Sequence, residues 1–136
     1  MPRHALSRRL VTLAHTPLTR RYDLDELYAQ LFSFKACGFI VGCSTFFHKE
    51  EDVAKARAAG IQVPHAYCLL DLASCEGEDL VKLRNPNGVA LWKGDWSRGS
   101  SKWTYDTKKE LGLDREDEGV FWIRYRVQGA GYTGLD

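Results

Sequence analysis

The sequence predicts an α+β fold, and three features carry that expectation. Two segments in the first half have helical character, two β-rich runs flank a short glycine-containing loop, and an alternating aromatic run closes the described pattern. The 136 residues are enough for one domain with its own hydrophobic core.

Residues 1–22 carry Arg3, Arg8, Arg9, Arg20 and Arg21 with no acid before Asp23. They read as a basic N-terminal arm, with a mitochondrial presequence as the weaker alternative. From Asp23, the residues Leu24, Leu27, Tyr28, Leu31 and Phe32 recur at helical spacing, and Asp23 with Glu26 forms a capping-box pattern. A helix is expected there. The run "GFIVGCST", 38–45, is short, apolar and bounded by glycine, which predicts a strand buried on both faces, with Gly42 allowing a close backbone approach. "KEEDVAKARAAG", 49–60, places acids first and bases later, complementing a helix dipole, and Gly60 stands at the stop position.

Residues 65–73 and 79–85 flank "SCEGE" and are expected to pair as an antiparallel hairpin. Taking that five-residue stretch as the bend sets His65 near Asn85 at the open end. Directly opposed side chains have Cβ atoms about 4.5–5.5 Å apart, and diagonal ones about 7–8 Å. An imidazole can therefore reach the Asn85 carboxamide. Such a bond fixes the ring's orientation and tautomer, the task of the third member of a nucleophile, base and orienter triad. A purely structural His/Asn pair satisfies the same spacing. In "GVFWIRYRV", Phe121, Ile123, Tyr125 and Val127 alternate with Val120, Trp122, Arg124 and Arg126, which predicts a strand with one buried and one partly exposed face. Trp92, Trp96, Trp103 and Trp122 are expected in the core.

The formal charge of +1, and a tryptophan spacing without basic interleaving of the kind a nucleic-acid stacking platform needs, argue against a nucleic-acid partner. No apolar run approaches the roughly 20 residues needed to cross a bilayer, so no membrane role is expected. Cys37, Cys43, Cys68 and Cys75 follow no CxxC spacing, and no secretory-signal pattern opens the sequence. Free thiols in a reducing, cytoplasmic setting are therefore expected, with no cysteine-bound metal.

Five blocks in order, "GFIVGCST", "HAYCLLDL", "LVKLRNPNG", "LWKGDWS" and "DEGVFWIRY", resemble the second half of the calpain cysteine protease core. The resemblance covers 23–127 and leaves out the basic arm and the Gly-rich tail, 128–136. It implies a papain-like antiparallel β-sheet lobe with two or three short helices, in which His65 is the general base and Asn85 orients it. It also implies what is missing. The family's nucleophile lies in the first lobe, in a Gln...Gly-x-Cys-Trp signature that this sequence does not contain.

Of the local cysteines, Cys68 should point to the opposite face from His65, Cys43 should be inert packing in a buried strand, and Cys37 and Cys75 lie away from any helix N-terminus. Asn87 stands where the family has a tryptophan beside the active site, a change expected to wet the His65 and Asn85 pair. Asn87-Gly88 should make a turn by itself, since both residues tolerate positive φ. The family's calcium carboxylates fall here on Leu91, Arg98 and Val120, with Glu118 alone acidic, so no metal or other cofactor is expected. "DREDEG", 114–119, reads as a solvated acidic loop.

These features predict a calpain-like lobe without a nucleophile, acting as a non-catalytic protein-binding or scaffold module in the cytoplasm or on the cytoskeleton. Its partner would be a calpain-like first lobe or a cytoskeletal protein, met through an apolar patch around His65, Asn85 and Trp92. The alternative is the His/Asn half of a split or truncated calpain-type endopeptidase, completed by a Cys-bearing lobe.

Overall fold

A computed structural model describes residues 10–12, 24–45, 49–113 and 118–125. In chain order the elements are β1 (Leu10–Thr12), α1 (Leu24–Ala36), β2 (Ile40–Thr45), α2 (Glu50–Ala58), β3 (His65–Cys75), β4 (Glu78–Arg84), α3 (Tyr105–Glu110) and β5 (Val120–Arg124). The five strands form one sheet in sequential order. β2 to β5 are antiparallel, as expected for an α+β lobe of this kind, and β1 adds to the edge of β2 in parallel. Leu10–Thr12 belong to the predicted arm; the rest of 1–22, the tail 128–136, the Asp23 cap, the 126–127 end of the last strand and residues 114–117 of "DREDEG" lie outside the described residues.

Both longer helices end the same way. Past α1, Gly38 adopts φ +77, its N–H donates to the Lys35 carbonyl and the Phe39 N–H donates to Phe34. Past α2, Gly60 adopts φ +94, its N–H donates to Arg57 and the Ile61 N–H donates to Ala56. These are the paired bonds of a Schellman motif, which satisfy helix-end carbonyls and need a left-handed residue that glycine adopts without strain. The accompanying apolar contact is present too: the Phe34 and Phe39 rings lie 5.7 Å apart, and Ala56 and Ile61 share the core. Gly38 thus belongs to a helix end, so the strand begins at Ile40.

The sheet has two covered faces of different extent. On one, α1 lays Tyr28 and Leu31 over Val41, Tyr67, Leu69, Leu72, Val81, Leu83, Phe121 and Ile123. Tyr28 also donates its hydroxyl to the carbonyls of Ala73 and Leu80, at 2.9 and 3.0 Å, tying the helix to β3 and β4. Phe32, counted in the predicted apolar face, is instead 44 % exposed, although its ring meets Tyr28 edge-on. α2 contributes a single fully buried residue, Ala56, so its apolar face is as thin as its sequence implies.

On the opposite face, Trp96, Trp103, Leu113 and Trp122 cover Cys75 and Leu80. The Trp96 and Trp103 rings meet edge-to-face at 4.9 Å, and each indole N–H finds an acceptor, Glu78 Oε2 and the Ser97 carbonyl respectively. This second layer lies over β4 and β5, which corrects two expectations. β5 is buried on both faces from Val120 to Ile123, because Trp122 points into the tryptophan layer. β2 lies beyond that layer and buries only one face, and a Cβ on its Gly42 would meet nothing nearer than a carbonyl at 3.9 Å, so no close approach requires a glycine there. Trp96, Trp103 and Trp122 are core, while Trp92 is partly buried at its margin.

The hairpin is tighter than "SCEGE" suggested. Ser74 and Cys75 pair with Asp79 and Glu78, leaving a two-residue loop of Glu76 and Gly77 at φ 51 and 75. Positive φ at both loop residues matches the right-handed twist of the flanking strands. A bulge between Leu69 and Asp71 then shifts the register, so that Cys68 faces Arg84. Continuing that register would set His65 opposite Asn87, which makes its approach to Asn85 the diagonal one.

Candidate functional site

His65 opens β3 and Asn85 follows the last residue of β4. Two backbone features hold Asn85 in place. Its N–H donates to the Gly119 carbonyl at 2.8 Å, and its carbonyl accepts the Gly88 N–H at 3.0 Å, closing a turn with Pro86 and Asn87 at the centre. Proline suits the first central position of such a turn. Gly88 takes the positive φ, +80, and Asn87 does not, contrary to the expectation for that pair. A Cβ on Gly119 would press on the Gly88 backbone, so the glycine at 119 lets the turn seat against the start of β5.

The predicted contact is present. His65 Nε2 lies 2.7 Å from Asn85 Oδ1. A carboxamide oxygen can only accept, so Nε2 carries the hydrogen and the lone pair sits on Nδ1. The ring also stands edge-on to Tyr67, with centroids 4.9 Å apart. Asn85 is 2 % exposed, and its Nδ2 donates to Gln62 Oε1 at 2.9 Å. The wetting expected from Asn87 therefore does not reach the asparagine. Asn87 instead joins the same network: its Nδ2 donates to Gln62 Oε1 at 3.2 Å, its backbone N–H donates to Asn85 Oδ1 at 3.2 Å, and its Oδ1 accepts the Val89 N–H at 3.1 Å.

Gln62 was not singled out by sequence. Its backbone is held on both sides, the N–H by the Tyr67 hydroxyl at 3.0 Å and the carbonyl by Thr45 Oγ1 at 2.6 Å. Nothing in "GIQVPHAY" signals this, because the partners Thr45, Tyr67, Asn85 and Asn87 come from separate elements. The residue sits between α2 and β3, on a stretch also fixed by Arg57, whose Nη2 donates to the Val63 carbonyl at 2.7 Å. Gln62, His65 and Asn87 line an open cleft of about 510 Å³, with Arg57, Pro64 and Leu91 on its walls. Val89 and Leu91, just past the turn, are 43 % and 49 % exposed.

None of the four cysteines is placed to serve His65. Cys75 lies at the far end of β3, ten residues from His65, or roughly 33 Å along an extended strand. Burial and nearby glutamates push its thiol pKa up. Cys68 pairs with Gly42 and alternates away from the face that His65 shares with Tyr67. Cys43 pairs with Tyr67 and is nearer, but burial first, and Cys68 second, push its thiol up to about 12, so it stays protonated at neutral pH. Cys37 follows the end of α1 and is exposed.

The positions where the family carries calcium ligands are also in view. Leu91 and Arg98 are exposed, Val120 is buried in β5, and Glu118 is exposed just before it. Among the described residues, no group of three or more His, Cys, Asp or Glu is arranged to hold a metal ion. Arg124, on the face of the last strand expected to be partly exposed, is engaged within the chain by Glu78 at 2.6 Å and Asp95 at 2.9 Å. No helix among the described residues is long and apolar enough to cross a membrane.

Comparison with known proteins agrees with this architecture. The family model described as "Calpain family cysteine protease" matches residues 8–136, reaching beyond 23–127 at both ends. Calpain-type cysteine protease DEK1 of Arabidopsis thaliana is 35 % identical over 104 residues, covering 74 % of this chain and 5 % of that protein. Human calpain-14 is 41 % identical over 90 residues, 62 % of this chain and 12 % of the relative. Calpain-B of Drosophila melanogaster is 32 % identical over 126 residues, 80 % of this chain and 13 % of the relative. The chain thus spans a small part of the length of these relatives. With the family model covering nearly its whole length, this chain belongs to the calpain family of cysteine proteases.

Proposed function

We propose that this chain is the base-and-orienter half of a calpain-type cysteine endopeptidase, inert by itself and completed by a Cys-bearing first lobe in the same or another polypeptide. The observation that carries this reading is the 2.7 Å contact of His65 Nε2 with a buried, fully bonded Asn85. A histidine held in this way keeps its Nδ1 lone pair for a substrate-side proton. In the assembled enzyme, Nδ1 takes the thiol proton and the thiolate attacks the peptide carbonyl. The imidazolium returns that proton to the departing amine, leaving an acyl-thioester. His65 then deprotonates a water that hydrolyses the thioester and regenerates the thiol. The exposed Val89 and Leu91 beside the cleft are the apolar surface on which such a lobe would sit.

A second reading, a lobe that binds a protein partner without catalysis, is favoured by the state of its own thiols, since Cys43 is held protonated and the other three lie elsewhere. One experiment separates the two. The protein is isolated from its own cells through a tag, the polypeptides in the assembly are identified by mass spectrometry, and the assembly is assayed on a fluorogenic peptide. The proposal expects a Gln...Gly-x-Cys-Trp lobe in the assembly and thiol-dependent hydrolysis that falls by at least about 100-fold in His65→Ala. An assembly lacking such a lobe, or hydrolysis indifferent to His65, rejects it in favour of the binding module.

A further inference from the structure

We propose that Gln62 and Asn87 are positioning residues, whose side-chain amides lock the Asn85 carboxamide in one orientation and thereby hold His65 as the Nε2–H tautomer. Two backbone N–H groups supply the direction. A backbone N–H can only donate, so the Val89 N–H, 3.1 Å from the Asn87 side chain, requires the oxygen of that amide and turns its amino group toward Gln62. The Asn87 N–H, 3.2 Å from the Asn85 side chain, likewise requires an oxygen there and turns the Asn85 amino group toward Gln62. Gln62 Oε1 then accepts from both amino groups, at 2.9 and 3.2 Å, and has the two lone pairs this needs.

The circuit closes at the imidazole. With Oδ1 facing His65, only a protonated Nε2 fits at 2.7 Å. Reversing the Asn85 amide would set its amino group against the Asn87 N–H and leave Gln62 Oε1 one donor short, so the alternative Nδ1–H tautomer loses support at two places. Gln62 is a stiff anchor for this task, because Tyr67 and Thr45 hold its backbone N–H and carbonyl. Asn87 thus does for orientation what a bulky shield would do by excluding water. It supplies a second donor to the same acceptor.

The catalytic consequence rests on the reading of His65 as the general base, but the test does not use activity. Long-range proton–nitrogen NMR correlations of the His65 ring report which nitrogen carries the hydrogen, and solvent-exchange broadening reports how firmly it is held. In the unaltered chain above the imidazole's titration range, we expect an Nε2–H ring with slow exchange. In Gln62→Ala, the fraction of Nδ1–H and the exchange rate of the ring proton should each rise about fivefold, the effect of losing one neutral hydrogen bond. Gln62→Glu keeps an acceptor oxygen and should resemble the unaltered chain, and Asn87→Ala should fall between. An Nδ1–H ring in the unaltered chain, or a ring in Gln62→Ala that matches it in both readouts, overturns the proposal. A native assembly without peptidase activity, alongside a firmly Nε2–H ring, would reject the proposed function and leave this inference standing.

Discussion

Replacing Asn85 by alanine should destabilise the fold measurably, and the size follows from the bonds it makes. The side chain is 2 % exposed and takes part in three hydrogen bonds, to His65, Gln62 and the Asn87 N–H. Each is worth a net of about 0.5–1.5 kcal/mol. Its partners are themselves half-buried or exposed, so water can reach them once Asn85 is gone, which keeps each loss toward the lower end of that range. The total comes to about 1.5–3 kcal/mol, corresponding to a fall in Tm of about 5–12 °C for a chain of this size. Thermal unfolding followed by circular dichroism measures it directly. Asn87→Ala provides the internal comparison, since that exposed side chain should cost under about 1 kcal/mol. A Tm for Asn85→Ala within about 1 °C of the unaltered chain, or a larger loss from Asn87→Ala, would refute the buried network.

Two further perturbations test the scaffold. Burial raises the Cys43 pKa from near 9 to about 12, so folding favours the neutral thiol. This contribution is fully present below pH 9 and is lost between about pH 9 and 12, as the unfolded chain ionises first. A thiol-specific reagent at pH 8 should accordingly label exposed Cys37 readily and leave Cys43 unlabelled until denaturant is added; fast native labelling of Cys43 would contradict its placement. Gly60→Ala should destabilise by more than about 1 kcal/mol in urea unfolding, since the residue holds φ +94 and its Cβ would run into the Leu91 backbone; an unchanged midpoint would show that the α2 end is not packed as described.

The resemblance that identified the family was legible because its blocks lie on strands and turns whose residues are close in sequence. The helix over Leu24–Ala36, the acid-to-base order of Glu50–Ala58 and the stop at Gly60 follow from local rules of periodicity and capping. The tryptophan layer was harder to read. That Trp122 is buried depends on Trp96 and Trp103 folding back over β4 and β5, a long-range event with no period in the sequence. The same layer stops short of β2, which is why a strand expected to be buried on both faces is half open.

At the site, the division is sharper. Sequence by itself pointed to a meeting of His65 and Asn85, because a hairpin brings its open ends together. It also determined that no Gln...Gly-x-Cys-Trp nucleophile motif lies within these 136 residues. Only the tertiary structure decided how they meet. The two-residue turn at Glu76 and Gly77 and the bulge between Leu69 and Asp71 set a diagonal register. Gln62, arriving from the α2 side, gives the Asn85 amide its second partner. Hydrogen-bond direction is a property of atoms brought together from distant parts of the chain, so a linear pattern carries no record of it.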